Sequence, residues 1–432
     1  MTVKHTYIAD LPDLVDEEVT LHGWVYNKRS SGKIWFLILR DGTGYAQCVI
    51  AKGRAPENVF NLDQVLTQES SVTVTGTVRK DDRAVGGYEL DCSDMVVHQI
   101  TKDYPITKKE HGTAFLMDHR HLWLRSRQQY AIARVRHQVI RACHDFLDDN
   151  GFTQVDTPIF TANPCEGTTT LFETDYFGQK AYLTQSGQLY NEAAIMAVGK
   201  TYCFGPTFRA EKSKTRRHLT EFWMLEPEMA YCDLDENMEW AEKLIEYAVH
   251  RVLDRCGEEL DILERERSKL EAVKVPFVRI SYNEAVDVLH KAGEKFEWGD
   301  DFGGGHETVL SEQFEGPIIV HRFPAAIKAF YMKRDPEDSK LALGMDILAP
   351  EGYGEIVGGG QREEDYRTTL RRIREEKLSE SDFDWYLDLR RYGSVPHSGF
   401  GLGLERCVSW ICGLAHLRES IAFPRMIYRL EP

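Results

Sequence analysis

The sequence predicts an α+β protein in two parts, a small closed β-barrel followed by a larger domain of helices packed on an antiparallel sheet. Three observations predict it. The first hundred residues hold short runs rich in β-branched and aromatic residues, separated by turn residues. From residue 129 onward, helical periodicities alternate irregularly with strand-like runs, without the βαβ rhythm of a parallel sheet. A length of 432 residues, with 42% hydrophobic and 28% charged content, is enough for two or three globular domains with a sizeable core.

In order, 19–25, 34–39, 46–50 and 72–78 read as strands, with Asp41-Gly42-Thr43-Gly44 turning between the second and third. Gly23 and Gly76 lie inside two of these runs, which predicts the tight coiling of a small barrel. About five strands in such a length fits an OB-fold over residues 1–100, which commonly holds single-stranded nucleic acid; a generic small β domain has the same pattern. Residues 101–128, with Pro105 and Lys108-Lys109, read as a polar connector. Ile132, Val135, Val139, Cys143 and Phe146 then recur at helical spacing, and Gly151 stands where a C-terminal cap belongs. Residues 152–160 read as a strand with Pro158 marking an edge. The larger domain spans 129–432, with helices over 236–253 and 366–376 and an insertion over about 255–315.

Composition removes several classes. No apolar run approaches the ~20 residues of a membrane span, and the N-terminus has no basic start followed by an apolar stretch. Nine cysteines without a CxxC pair argue against a thiolate zinc site and a disulfide framework, and fit free thiols in a reducing cytoplasm. The net charge of −16 argues against nonspecific nucleic-acid binding but not against a local basic patch. No Ser-His-Asp order or metalloprotease helix motif is present.

Three constellations carry possible chemistry. Phe208 to Glu228 packs Arg209, Lys212, Lys214, Arg216, Arg217 and His218 beside Glu211, Glu221, Glu226 and Glu228. It reads as a hairpin with a first strand to Glu211; alternation puts Phe222, Met224 and Glu226 on one face. Such a hairpin either clamps a triphosphate with guanidinium forks while a ring packs on a base, or is a surface hairpin with cross-strand ion pairs. Asp346 and Glu355 are hard oxygen donors of the kind Mg2+ takes, and Gly358 to Gly360 would let backbone approach a ligand; an exposed glycine-rich turn has the same composition. Gly399, Gly401 and Gly403 form a G-x-G-x-G, but the βαβ context of a dinucleotide site is missing. A strand entering a helix with Arg406 in its first turn suits an anion contact instead.

Together these segments resemble the three motifs of class II aminoacyl-tRNA synthetases. Gly151 to Pro158 is similar to the first, Phe208-Arg-Ala-Glu211 through Glu226-Pro-Glu228 to the second, and Gly401-Leu-Gly-Leu-Glu-Arg406 to the third. Within the aspartyl/asparaginyl/lysyl subgroup the phrases MDHRHLWLRS, EGTTTLFET, TQSGQLY, GPTFRAEKSKTRRHL and GSVPHSGFGLGLER most resemble the asparaginyl members.

The resemblance implies roles. Arg209, Glu211 and Arg406 would be catalytic. Arg209 would hold the α-phosphate of ATP, Phe222 would stack on adenine, and Arg217 or His218 with Arg406 would grip the outer phosphates. Asp346 and Glu355 would bind Mg2+. Glu166, Gln188, Asn191, Glu226, Glu228, Arg362 and His397 would form the amino-acid pocket, and Arg29, Phe36 and Gln47 would meet anticodon bases. The implied substrates and partners are L-asparagine, ATP, tRNA(Asn) and a second copy in a homodimer, with no membrane. Asparagine is favoured because Asn191 stands where aspartyl enzymes carry a lysine; removing that cation and offering Glu226 or Glu228 suits a neutral amide. Asparaginyl members usually carry an apolar residue at that position, and Gly360 replaces a more usual serine. The alternatives are a non-discriminating aspartyl-tRNA synthetase, an asparagine synthetase-like ligase, and a regulatory protein on an inactive synthetase fold. An OB-like first domain argues against the ligase. Intact Arg209, Glu355 and Arg406 argue against the inactive form.

Overall fold

The computed structural model describes residues 4–162, 165, 170–213 and 215–431. It divides into two compact units, Met1–Gly112 and Thr113–Pro432.

In the first unit, β1 (Glu18–Ser31), β2 (Ile34–Arg40), β3 (Tyr45–Ala51), β4 (Ser71–Lys80) and β5 (Tyr88–Gln99) form a closed barrel. β1 pairs with β2 and β4, β2 with β3, β4 with β5, and the ring closes through a parallel β3–β5 pairing. Alternation turns Leu21, Val25, Trp35, Leu37, Leu39, Val74 and Leu90 into a common core. At Gly76 a Cβ would lie 2.4 Å from Asp91 O, and at Gly23 the same distance from Arg40 O. Backbones therefore approach too closely for any side chain, beside register shifts in both strands. Gly76→Ala is expected to destabilise this unit by about 1–3 kcal/mol, read as a lower urea midpoint for amide exchange confined to residues 4–112. β5 is absent from the strands legible in sequence because its Asp, Cys and Ser residues interrupt the apolar run.

In the second unit, α1 (Arg127–Asp149) is capped by Ser126, whose side chain accepts from Gln129 N, and stops at Gly151 with φ 80°. The main sheet takes β6 (Thr153–Gln154), β7 (Lys200–Phe208), β8 (Glu221–Ala230), β9 (Val278–Ser281), β10 (Ile318–Pro324), β11 (Leu341–Ala349), β12 (Gly354–Gln361) and β13 (His397–Gly403). Their spatial order is β9-β10-β11-β12-β13-β8-β7-β6. The five inner pairings are antiparallel, whereas the edge pairings β9–β10 and β6–β7 are parallel, so the sheet is mixed rather than purely antiparallel.

The remaining helices used below are α2 (Gln188–Val198), α3 (Leu234–Arg255), α4 (Gly304–Glu312), α5 (Tyr366–Glu375), α6 (Asp384–Arg391) and α7 (Leu404–Cys412). Residues of α1, α3 and α7 bury one face of the sheet with Leu225, Met345, Ile347, Val357 and Leu402. Their chain neighbours Met224, Glu226, Asp346, Gly358 and Gly401 consequently face the other side and line a cavity.

Three local expectations change. The strand expected over 152–160 shrinks to Thr153–Gln154, with Pro158 beyond its end and a separate short strand at Phe160–Thr161. The connector contains two short helices, Thr113–Asp118 and Arg120–Trp123, and Arg120 is buried, donating to the carbonyls of Ile421 (2.8 Å) and Ala422 (2.9 Å). Residues 255–315 supply β9 and α4.

Candidate active site

The larger cavity, about 810 Å³, adjoins a second of about 320 Å³, and the two share Arg209, Met224, Glu355 and Gly401. Both open on the sheet face opposite the core.

The smaller cavity collects Arg209, Glu211, Arg217, His218, Phe222, Glu355 and Arg406. The hairpin explains this in part. β7 ends at Phe208, three residues before Glu211, and pairs with β8 in the register Phe208↔Glu221, so Arg209 leaves the sheet opposite Thr220 and bonds its carbonyl at 2.9 Å. Arg209 Nη1 donates to Gln185 O at 2.7 Å, and its guanidinium lies 5.6 Å from the Phe222 ring centroid. Arg217 reaches across to α4, donating to Gly304 O (3.0 Å), Thr308 Oγ1 (2.6 Å) and Gly352 O, with Glu307 at 3.5 Å. Burial holds the His218 imidazole below its ordinary range, Glu211 opposing and Arg406 reinforcing. Arg406, third residue of α7, donates to Glu355 O (2.9 Å) and Oε2 (3.1 Å).

Between the cavities stands an acidic cluster. Asp346 on β11 and Glu355 on β12 both face Gly358: a Cβ there would lie 2.9 Å from Glu355 Oε1 and 3.5 Å from Asp346 Oδ1. Burial pushes the Asp346 carboxyl up to about 7, Lys328 opposing and Glu355 reinforcing. Burial likewise raises Glu307 and Asp301, both of which line the larger cavity. Two converging hard oxygens suit Mg2+, and among the described residues no three His, Cys, Asp or Glu side chains form a metal-holding group. Water and phosphate oxygens would complete its shell. Sequence reasoning passed over Lys328, Asp301 and Glu307. A lone lysine inside the apolar run Ala325-Ala-Ile-Lys-Ala-Phe-Tyr331 was the available signal for the first.

Gln188, Glu226, Glu228 and Arg362 line the larger cavity. Arg362 holds Glu228 with two bonds, Nε to Oε2 at 3.3 Å and Nη2 to Oε1 at 2.5 Å, both residues being almost wholly buried. Burial raises the Glu228 carboxyl to about 7 against the pull of Arg362. Glu226 is committed locally, accepting from Ser186 Oγ and from Gly187 N (2.9 Å). Asn191 and His397 do not line the cavity. Asn191 is buried behind it, donating to Glu226 O at 2.8 Å. His397 bonds Glu192 at 2.8 Å. Glu192, not singled out from sequence, also accepts from Gln188 (3.1 Å), Tyr386 (2.8 and 2.9 Å) and Arg390 (2.5 Å). Burial favours its neutral form, but Arg390 and His397 prevail and hold its carboxyl well below the usual range. This network locks the first turn of α2, where Gln188 sits. Glu166 lies outside the described residues.

Of the glycines expected to admit a ligand, only Gly358 faces the carboxylates. A Cβ on Gly359 would strike Gly399 O at 2.5 Å, so that position serves the approach of β12 to β13.

In the barrel, Arg29, Phe36 and Gln47 meet. The Arg29 guanidinium lies 4.5 Å from the Phe36 ring centroid and donates to Gln47 Oε1 at 3.3 Å, and Gln47 donates to Glu89 at 3.0 Å. A cation, a ring and an amide on neighbouring strands can stack on and hydrogen-bond exposed bases.

Comparison with known proteins agrees with this geometry. Residues 113–427 match the family model for class II tRNA synthetases (D, K and N), and residues 19–97 match the OB-fold nucleic acid binding domain. The chain is 59% identical to the asparagine–tRNA ligase of Desulforamulus reducens, with full coverage of both. It is similar to the crystal structure of asparaginyl-tRNA synthetase from Pyrococcus horikoshii complexed with asparaginyl-adenylate, at TM-score 0.97 and 46% identity over the whole of both chains. The aspartyl-tRNA synthetase of Entamoeba histolytica matches less closely, at TM-score 0.84 and 28% identity over all of this chain and 93% of the other. By the family model over residues 113–427 and by its full-length relatives, the chain belongs to the class II tRNA synthetases of the D, K and N group.

Proposed function

We propose that the chain activates L-asparagine with ATP to asparaginyl-adenylate and transfers the asparaginyl group to tRNA(Asn). The observation that carries this is the Arg362–Glu228 pair on the cavity wall, beside Gln188. Its guanidinium offers a donor to the side-chain carbonyl of asparagine, and its carboxylate accepts from the amide nitrogen. Aspartate would set a second carboxylate against Glu228. The relatives named for asparagine support the same choice.

The mechanism needs no protein nucleophile. The carboxylate of asparagine attacks the α-phosphorus; the α-phosphorus–oxygen bond to pyrophosphate breaks and pyrophosphate leaves. Arg209 stabilises the charge on the α-phosphoryl oxygens and orients the attacking carboxylate, and Phe222 packs on adenine. Arg217 or His218, with Arg406, takes the outer phosphates, with Glu211 beside them. Asp346 and Glu355 would hold Mg2+, which would supply charge neutralisation to the phosphates. A ribose hydroxyl of tRNA then attacks the adenylate carbonyl and AMP leaves. The reading includes a homodimer and a cytoplasmic setting. The first rests on family membership, the second on nine cysteines with no CxxC pair among them. No helix among the described residues is long and apolar enough to cross a membrane.

Amino-acid-dependent ATP–pyrophosphate exchange tests the choice of substrate. Exchange is expected with asparagine and at least a hundredfold less efficiently with aspartate; exchange driven by aspartate alone would overturn it. Anticodon recognition has its own test. Arg29→Ala with Phe36→Ala is expected to raise KM for tRNA by about tenfold or more, stacking being worth ~1–3 kcal/mol per base, while tRNA-independent exchange stays unchanged. An unaltered KM for tRNA would remove these residues from the interface.

A further inference from the structure

The floor of the larger cavity carries a cation that the mechanism above does not use. Lys328 Nζ lies 3.0 and 3.2 Å from the two oxygens of Asp346, and 3.8 Å from the centroid of the Phe323 ring. The backbone that bears it is pinned from α5: Arg372 Nη2 lies 3.4 Å from Lys328 O and 3.5 Å from Ala325 O, and is itself held by Glu376 at 2.9 Å. The ammonium therefore moves only on its own flexible stem. Asp301, Glu307 and Glu355 line the same cavity and leave it rich in carboxylates. Asp346 and Glu355 converge on Gly358, so a divalent cation shared by them would lie within a few ångströms of Nζ.

Two cations that close cannot both use one buried carboxylate at full strength, because their repulsion is weakly screened there. An arriving polyphosphate changes the balance, since its oxygens are anionic acceptors for a strongly hydrated, point-like ammonium. We infer that Lys328 is an internal competitor for Asp346: it weakens metal binding without nucleotide, and passes to the polyphosphate when nucleotide enters, so that metal and ATP are taken up together. This rests on the ATP and Mg2+ reading of the site.

The test measures Mn2+ binding to the full chain by electron paramagnetic resonance, with and without a non-hydrolysable α,β-methylene analogue of ATP. Lys328→Met keeps the aliphatic stem over Phe323 and removes the charge. Without nucleotide it is expected to bind Mn2+ at least tenfold more tightly than the natural chain, and the gap is expected to close when the analogue is present. Lys328→Arg, which keeps a cation at Asp346, is expected to bind as weakly as the natural chain. Thermal unfolding of each variant shows whether it is folded. Equal or weaker Mn2+ binding by folded Lys328→Met without nucleotide would overturn the inference, since a lysine that merely braced Asp346 would weaken the site when lost. If Lys328→Met does not fold, Lys328→Gln takes its place with the same expected outcome. Asp346→Asn separates the two levels. If it leaves Mn2+ binding in the presence of the analogue unchanged, the metal lies elsewhere and the reading of the metal site fails.

Discussion

Arg209→Ala is expected to lower asparagine-dependent ATP–pyrophosphate exchange by about a hundred- to a thousandfold in kcat, the usual loss when one preorganised charge donor is removed from a reacting centre. The chain's fold should survive. Arg209 lies beyond the end of β7, lines both cavities, and among its contacts donates to the Gln185 carbonyl and lies over the face of the Phe222 ring. Its melting temperature is therefore expected to stay within a few degrees of the natural chain's. Arg209→Lys is expected to recover only part of the rate, because a single ammonium cannot grip two oxygens with a planar fork. Single-turnover adenylate formation checks this directly. A variant that retains full rate at saturating asparagine and ATP would show that Arg209 only binds, or does nothing, and would remove it from the reacting centre.

Arg362→Ala is expected to damage stability and recognition together. The pair it makes with Glu228 is almost wholly buried, and deleting one partner of a buried pair leaves the other charge without compensation, at a cost of about 3–5 kcal/mol. Burial already raises the Glu228 carboxyl to about 7 while Arg362 is present, so the variant escapes part of that cost by taking up a proton. Its unfolding midpoint is accordingly expected to fall less at pH 6 than at pH 8. The double variant Glu228→Gln with Arg362→Met removes both charges in similar volume, and is expected to regain most of the lost stability. It is not expected to regain asparagine-dependent exchange, since neither the donor fork nor the carboxylate acceptor remains. Stability tracks the sum of the two charges, whereas recognition needs both groups. A double variant that exchanged with asparagine at the natural rate would remove the pair from the pocket.

Much of the architecture was legible in residue order because it follows from local periodicity. Alternating Val, Leu and Trp residues marked four barrel strands, and Gly23 and Gly76 marked the two places where backbones touch. β5 was not legible, because a strand completed by pairing tolerates the polar residues that break its pattern. Of the parallel edges, β6 lay within the strand expected over 152–160 but is only two residues long, whereas β9 was not legible, because a four-residue strand carries little periodicity of its own.

The site divides along the same line. Arg209, Phe222, Glu355 and Arg406 could be selected from sequence because each lies in a compact motif whose residue types suit phosphate, base or metal. What sequence by itself determined was therefore a barrel, a largely antiparallel sheet and a set of groups able to handle a nucleotide. Tertiary structure alone decided how those groups are used. It placed Lys328 on Asp346 and Arg217 on α4, and turned His397 and Asn191 away from the cavity, one onto Glu192 and the other onto Glu226 O. The physical reason is that a buried charge takes its meaning from its partner, and these partners lie from 18 to 205 residues apart in the chain.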